Sequence, residues 1–387
     1  MGESTTTPLL CQLFPFPAHL LLLDCHFAFY LRGFRMKNRF IAVFALFVLT
    51  LNLAASSIHD AKANALKKAQ TGQLAALLPA VDGVATIDVN RTFTDALPTV
   101  LSGNQPMLAD VIAKIDEMKA KTGIDIRQFE YLAAGVTARK ISAKEYDFDP
   151  VVIARGQVNS TALIGAAKLA AKGKYREEKL GERTIYIFDT KEIAQQNKPQ
   201  TAAGKTNGAV DKAIGKLSKE LAATAYDANT LVFGSPVLVR RTLEGNTKPS
   251  PELMGLLARK EISVVNFTAS VPTGMSGFLP LDNDELGKNV DSIRFVYGSM
   301  DVIGDAVAVN MTARTLQNAQ AQGLLETLEG LKFIGKAFLG SSSKPDNQVF
   351  ARMVENVKFS AKANEVMLDL QIPQSDLSIL VGSLKTK

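Results

Sequence analysis

The chain has 387 residues, with 44 Lys and Arg against 38 Asp and Glu for a formal net charge of +6, two cysteines, three histidines and no tryptophan. Cys11, Cys25, His19 and His26 all fall within the first 35 residues, so only His59 remains beyond them. Downstream of residue 35 this leaves no thiol chemistry, no two-histidine zinc site and no Ser-His-Asp triad, and the charge excess is too mild to mark a nucleic-acid binder.

Met36 to Phe40 form a short basic head, Ile41 to Ala55 an apolar run, and Ala54 to Ser57 a small-residue exit. This order predicts a secretory signal cleaved after Ala55 or Ser57, because the run is too short to span a bilayer and is interrupted by Thr50 and Asn52. Residues 1–35, with Pro8, Pro15, Pro17 and Asp24, read as an upstream extension ahead of a true initiator at Met36, and residues 36–57 as the signal. A hairpin anchored in the membrane by residues 18–31 and 40–55 is the competing reading. Removing residues 1–57 takes away four basic and two acidic residues and leaves 40 against 36, a net of +4.

Residues 58–79 predict a helical lead-in that docks through Leu74, Leu77 and Leu78. The alternation Val84 to Val89 predicts a strand, Asn90 the cap of a short helix ending near Leu101, and Met107 to Lys121 a helix with apolar residues Leu108, Val111, Ile112, Ile115 and Met118. Phe129 to Arg139 and Val151 to Val158 read as strands joined by a polar connection, Lys144 to Asp149. Asn159 or Ser160 opens the next helix, and Tyr175 to Phe188 a hairpin turning at Leu180-Gly181.

Residues 191–219 are rich in Gln, Asn, Gly and Lys and poor in large apolar groups, and read as a linker or a surface loop. They divide a first α+β domain, 80–190, from a second, 220–387. In the second, strands at Leu221 to Tyr226 and Thr230 to Phe233 precede helices opened by Pro236 and by Ser250-Pro251. A strand, Ile262 to Val271, an irregular loop, Gly274 to Gly287, and a hairpin over Ile303-Gly304-Asp305 follow. Leu316 to Leu339 is the longest helix, with Leu316, Ala319, Leu324, Leu328, Leu331, Phe338 and Leu339 as its apolar side. A short helix, two strands and a last helix from Ser375 close the chain. The expected class is α+β: two related halves of antiparallel or mixed sheet with helices packed on one face.

Leu77-Leu78-Pro79-Ala80 leading into Val84 to Asp88, and Pro150 to Gly156 followed by a helix, resemble exported bacterial proteins catalogued only as domains of unknown function. That resemblance implies an exported α+β protein and assigns no functional residue.

Motifs of known chemistry fail on inspection. Gly204-Lys205-Thr206 lacks the leading glycine of a phosphate loop, since Pro199 stands at that position, and Ser341 to Lys344 lies in a loop without the partner motifs of a serine acyltransferase. The loop Asp282-Asn283-Asp284-Glu285 starts like a calcium loop but has Ile293 at its twelfth position, leaving Asp282, Asp284 and Glu285 as a looser oxygen-ligand candidate. Asp147 and Asp149 share one face if their segment is extended, the pairing that glycosidic or metal-assisted chemistry requires. The leading expectation is a non-enzymatic periplasmic or secreted protein that binds a protein or apolar ligand in the cell envelope, with no cofactor. A carboxylate-based or calcium-assisted hydrolase and a membrane-anchored envelope protein are the alternatives.

Overall fold

Twelve of the predicted extended segments come together as one antiparallel sheet in a computed structural model that describes residues 68–142, 145–189, 220–259, 262–274, 284–340 and 344–383. The strands are β1 (Gly83–Asp88), β2 (Phe129–Ser142), β3 (Glu145–Gly156), β4 (Tyr175–Leu180), β5 (Arg183–Asp189) and β6 (Glu220–Asp227). The remaining six are β7 (Thr230–Gly234), β8 (Val265–Ser270), β9 (Ile293–Ile303), β10 (Ala306–Thr315), β11 (Lys358–Lys362) and β12 (Glu365–Pro373). Their spatial order is β11-β12-β10-β9-β8-β1-β2-β3-β7-β6-β5-β4.

The centre is the antiparallel pair β1 and β8, in register at Thr86 with Asn266. From β1 the meander β1-β2-β3 runs one way, and from β8 the meander β8-β9-β10 runs the other. Strands β6 and β7 follow the polar segment 191–219, yet they pair with β5 and β3, so the strands on its two sides belong to one sheet. Residues 66–387 cluster accordingly as a single unit.

The helices are α1 (68–75), α2 (89–101, with a π-helical stretch at Thr92–Ala96), α3 (Gln105–Thr122), α4 (Ser160–Ala170) and α5 (Pro236–Glu244). They continue with α6 (Pro251–Ala258), α7 (Asp284–Asp291), α8 (Asn318–Gly340), α9 (Pro345–Asn356) and α10 (Gln374–Ser383). Local chemistry sets most starts. The side chains of Asn104, Asn159, Ser235 and Ser250 each accept from a backbone N–H three residues on, satisfying one of the donors left open at a helix start. Gly123 ends α3 in the left-handed conformation at φ 71°.

Four expectations need correction. Asp88, not Asn90, caps α2: it ends β1 in extended conformation and its Oδ1 accepts from Arg91 N–H at 3.0 Å, whereas Asn90 is already helical. The stretch Lys144 to Asp149 is not a polar connection, because from Glu145 onward it belongs to β3 and pairs with the end of β2. The loop Gly274 to Gly287 gives way to helix α7 at Asp284. Helices pack on both faces of the sheet and not on one.

The last correction follows from alternate residues of single strands. Ile153 and Val232 lie in a cluster with Leu74, Leu238, Val239 and Leu257, brought by the α1 segment, α5 and α6. Their neighbours Ala154 and Phe233 join Val89, Phe93 and Leu163, brought by α2 and α4. A strand buried on both sides is continuously apolar, and Val151-Val152-Ile153-Ala154 of β3 is such a run.

Candidate interaction surface

Helix α8 begins where Gln320 Oε1 accepts the backbone N–H groups of Leu316 and Gln317, a side chain reaching back over its own first turn. Its first half is anchored. Ala321 and Leu324 are buried against Ala313, Val366 and Ala361 of the sheet, and Asn289 of α7 donates to Thr327 Oγ1 at 2.8 Å and to the Gly323 carbonyl at 3.3 Å.

The second half behaves differently. Leu331, Phe333, Ile334 and Phe338 are 45%, 77%, 63% and 79% exposed, respectively. At 100° per residue these four and Ala337 occupy one arc of about 160°, with no charged residue inside it. The opposite side of the helix holds it down. Gly335 faces Val354 of α9, Lys332 Nζ donates to the Val357 carbonyl at 2.6 Å, and Lys336 pairs with Glu355 at 2.6 Å. The Lys336 ammonium holds the Glu355 carboxyl below the ordinary glutamate range. On α9, Phe350 is 44% exposed.

Expectation and structure part here. The period places Leu331 and Phe338 on one apolar side with Leu324, but past Leu328 the helix rests on α9 through Gly335 and its two lysines, which turns the apolar arc outward. The signal available in the sequence was the acid-free stretch Gly330 to Gly340, in which apolar residues outnumber any single helix face.

The carboxylate candidates are placed as follows. Asp147 and Asp149 lie on β3, share one side of the strand and stand opposite Arg139 and Thr137. Arg139 donates to Asp147 Oδ2 at 2.6 Å, so that carboxylate already has a counter-ion on a solvated ribbon where Phe148 is 54% exposed. Asp282 lies outside the described residues, and Asp284 and Glu285 form the first turn of α7. Gly204 to Thr206 and Ser341 to Ser343 also lie outside the described residues. Among the described residues no three His, Cys, Asp or Glu side chains are grouped to hold a metal ion.

A recess of about 80 Å³ opens between α1, α6 and the β1–β8 pair, lined by Lys68, Thr71, Thr86, Met254, Leu257 and Asn266 among others. Pockets that enclose small-molecule ligands run to about 300–1,000 Å³. This one admits a few waters or a single aliphatic branch.

The described chain therefore defines an α+β protein built on one large antiparallel sheet, with an apolar helical surface at the end that carries β11 and β12. No family model and no curated protein matches it. Solved structures of TP0453, crystal forms I and III, align at 10% identity over 80% of this chain and 96% and 97% of theirs, both with a TM-score of 0.39. Crystal form IV aligns at 10% identity with a TM-score of 0.38. Likenesses at that score carry no argument about this chain.

Proposed function

We propose that this is an exported, non-enzymatic binding protein of the cell envelope whose working surface is the apolar arc of α8. The carrying observation is the exposure of Phe333, Ile334 and Phe338 on a helix whose other half is firmly packed. Contiguous exposed apolar groups are costly to leave in water, and such patches mark interaction sites. Export rests on the basic head, apolar run and small-residue exit at 36–57. Mass spectrometry of the N-terminus tests it: recovery of residues upstream of Ser56 overturns cleavage.

The test of the surface is an environment-sensitive apolar dye. Replacing Phe333 and Phe338 together by Ser should abolish most dye enhancement and leave the thermal midpoint unchanged. Unchanged dye binding overturns the reading. So does turnover in a broad hydrolase screen that is lost in Asp147→Asn or Asp149→Asn.

We also propose that the chain consists of two related halves, 68–244 and 251–383. Support comes from the order of elements. Each half has a helix, a central strand, further helix, two meander strands, a helix, and then strands that return in reverse order, so that β7 lies beside β3 and β12 beside β10. Each closes on a helix, α5 or α10. The hairpin β4–β5 belongs to the first half alone. In the second half the position of the 11-residue α4 is taken by the 23-residue α8 followed by α9. The apolar arc thus lies in the part that the repeat does not account for.

A further inference from the structure

We infer that the recess beside the β1–β8 ladder binds a short aliphatic carboxylate. This rests on the reading of two related halves, which gives positions of one half counterparts in the other, and it concerns a different surface from the arc of α8. Residues 71–89 align without a gap on 253–271, so that strand β8 falls on β1 end to end and helix α6 on 69–76, within one residue of α1. Leu74, Ala76, Thr86 and Val89 recur as Leu256, Ala258, Thr268 and Val271. Further along, Ala154-Arg155 and Asn159 recur as Ala313-Arg314 and Asn318, and the two arginines stand opposite Thr230 and Glu365, each the first residue after an Ala-Asn turn. Ala85 falls on Phe267, its own register partner, as a pseudo-two-fold axis through the ladder requires.

Beside that axis the halves diverge. The recess of about 80 Å³ is lined on α1 by Lys68, Thr71 and Gly72 and on the sheet by Thr86 and Asn266, which are paired in the ladder and are 5% and 8% exposed. The counterparts of Thr71, Gly72 and Asn266 are Leu253, Met254 and Val84, all apolar. Leu253 and Val84 are buried core residues. Small or polar side chains thus stand around one void at three positions that the other half packs with apolar groups. Since Val84 fills its place in the first half, the buried amide of Asn266 is not something the fold requires, and burying it has a cost that a polar function offsets.

The chemistry of the lining selects the ligand. Lys68 supplies an ammonium, Thr86 a hydroxyl and Asn266 an amide, while the Thr71 hydroxyl donates to the Lys68 carbonyl at 3.2 Å. Among the described residues that line the recess there is no Asp or Glu. One cation with neutral donors and no acid suits a single negative charge. The walls formed by Met254, Leu257 and Ile262 are apolar and suit a short alkyl group. A cavity of about 150 Å³ holds benzene, so one of about 80 Å³ holds on the order of three to five heavy atoms, the size of acetate or propionate.

The test is saturation-transfer NMR on the full-length protein at constant ionic strength, with propionate and its uncharged isostere propionamide. Propionate should bind with a dissociation constant on the order of 1 mM, propionamide should give no transfer, and inorganic phosphate should not displace propionate. Gly72→Met places the second half's residue in the void, at a position where an added Cβ meets no atom within 4 Å, and should abolish binding without lowering the thermal midpoint. Lys68→Gln should weaken binding about tenfold. The absence of transfer to propionate overturns the proposal, as does equal binding of propionamide, displacement by phosphate, or binding undiminished in Gly72→Met. None of these outcomes touches the reading of related halves, which fails instead if, in a crystal structure of the full-length protein, Thr86 and Arg155 cannot be superposed together on Thr268 and Arg314.

Discussion

Glu365 stands on β12 directly opposite Arg314 of β10, and its Oε1 accepts from Arg314 Nε and Nη2 at 2.9 and 2.7 Å and from Arg259 Nη1 at 2.8 Å. Arg259 follows α6 and also reaches Tyr297, while Arg314 extends to Glu252 of α6, so one carboxylate ties that helix to the sheet. Burial pushes the Glu365 carboxyl up, but hydrogen bonding and charge from Arg314 outweigh it and leave it below the ordinary glutamate range. Its stabilising contribution is therefore present above about pH 4.3 and is lost as pH falls through the lowered folded value. Glu365→Gln should cost about 2 kcal/mol in urea unfolding at neutral pH, by loosening two half-buried guanidinium contacts. It should also flatten the fall in stability below about pH 4.3. A pH profile parallel to that of the unsubstituted protein would contradict this. Gly234 shows another constraint of the same scale. Its φ is 151°, and a Cβ there would lie 2.4 Å from the Pro150 carbonyl oxygen and 2.6 Å from Val151 Cα. Gly234→Ala should cost about 3 kcal/mol or more, or abolish folding, as read by the denaturation midpoint. Neither residue announces itself in the sequence, because the partners of Glu365 are 51 and 106 positions away and those of Gly234 belong to another strand.

Helix α8 shows how far periodicity carries at the scale of an element. Its existence and length were legible in Leu316 to Leu339, and the structure gives Asn318–Gly340. Its buried stripe was legible only in part, since a 3.6-residue period marks an apolar face without stating what covers it. Leu324, 2% exposed, and Phe338, 79% exposed, both lie on the apolar side that this period marks. Their substitutions should separate them. Leu324→Ala leaves a hole against Val366 and Ala313 and should cost about 2–4 kcal/mol in chemical denaturation. Phe338→Ser should be within about 0.5 kcal/mol of neutral, because the ring has little burial to lose. Equal costs would mean that the second half of α8 is covered. The same ambiguity affects α3, where Ile115 is 7% exposed but Ile112 is 41% exposed despite belonging to the same predicted face. The Lys144 to Asp149 error has another cause. Polar residues in a solvated ribbon alternate with no hydrophobic signal, and the Arg139–Asp147 cross-strand pair that favours the ribbon is visible only once the register is known.

For the whole molecule the decisive feature is the β1–β8 ladder, five residue pairs that join the strands before residue 191 and those after 262 into one sheet. Residues 68–383 should consequently unfold in a single transition, with near- and far-ultraviolet dichroism coincident; two resolved steps would mean that the halves melt independently. The segment 190–219 departs from Asp189 and returns at Glu220, which are register partners in the β5–β6 ladder. A four-residue turn in its place should therefore preserve the fold and raise stability by about 1–2 kcal/mol, from the lower entropy of closing a shorter loop. A lower melting temperature after that replacement would show that the segment contributes contacts of its own. Strand β11 is an edge of the same sheet, and its Lys358 and Lys362 are exposed as gatekeeping charges commonly are.

What the sequence determined by itself was local: the strands, most helix starts and stops, the α+β class, and the shortage of thiol and imidazole groups beyond residue 35. Those properties follow from backbone preference, capping chemistry and composition, each settled within a few residues. Tertiary structure decided which strands are neighbours, that helices cover both faces of the sheet, and which half of α8 is buried. These depend on pairings between distant segments, β1 with β8 and Arg259 with Glu365, whose free energy is gained only when the chain has closed on itself.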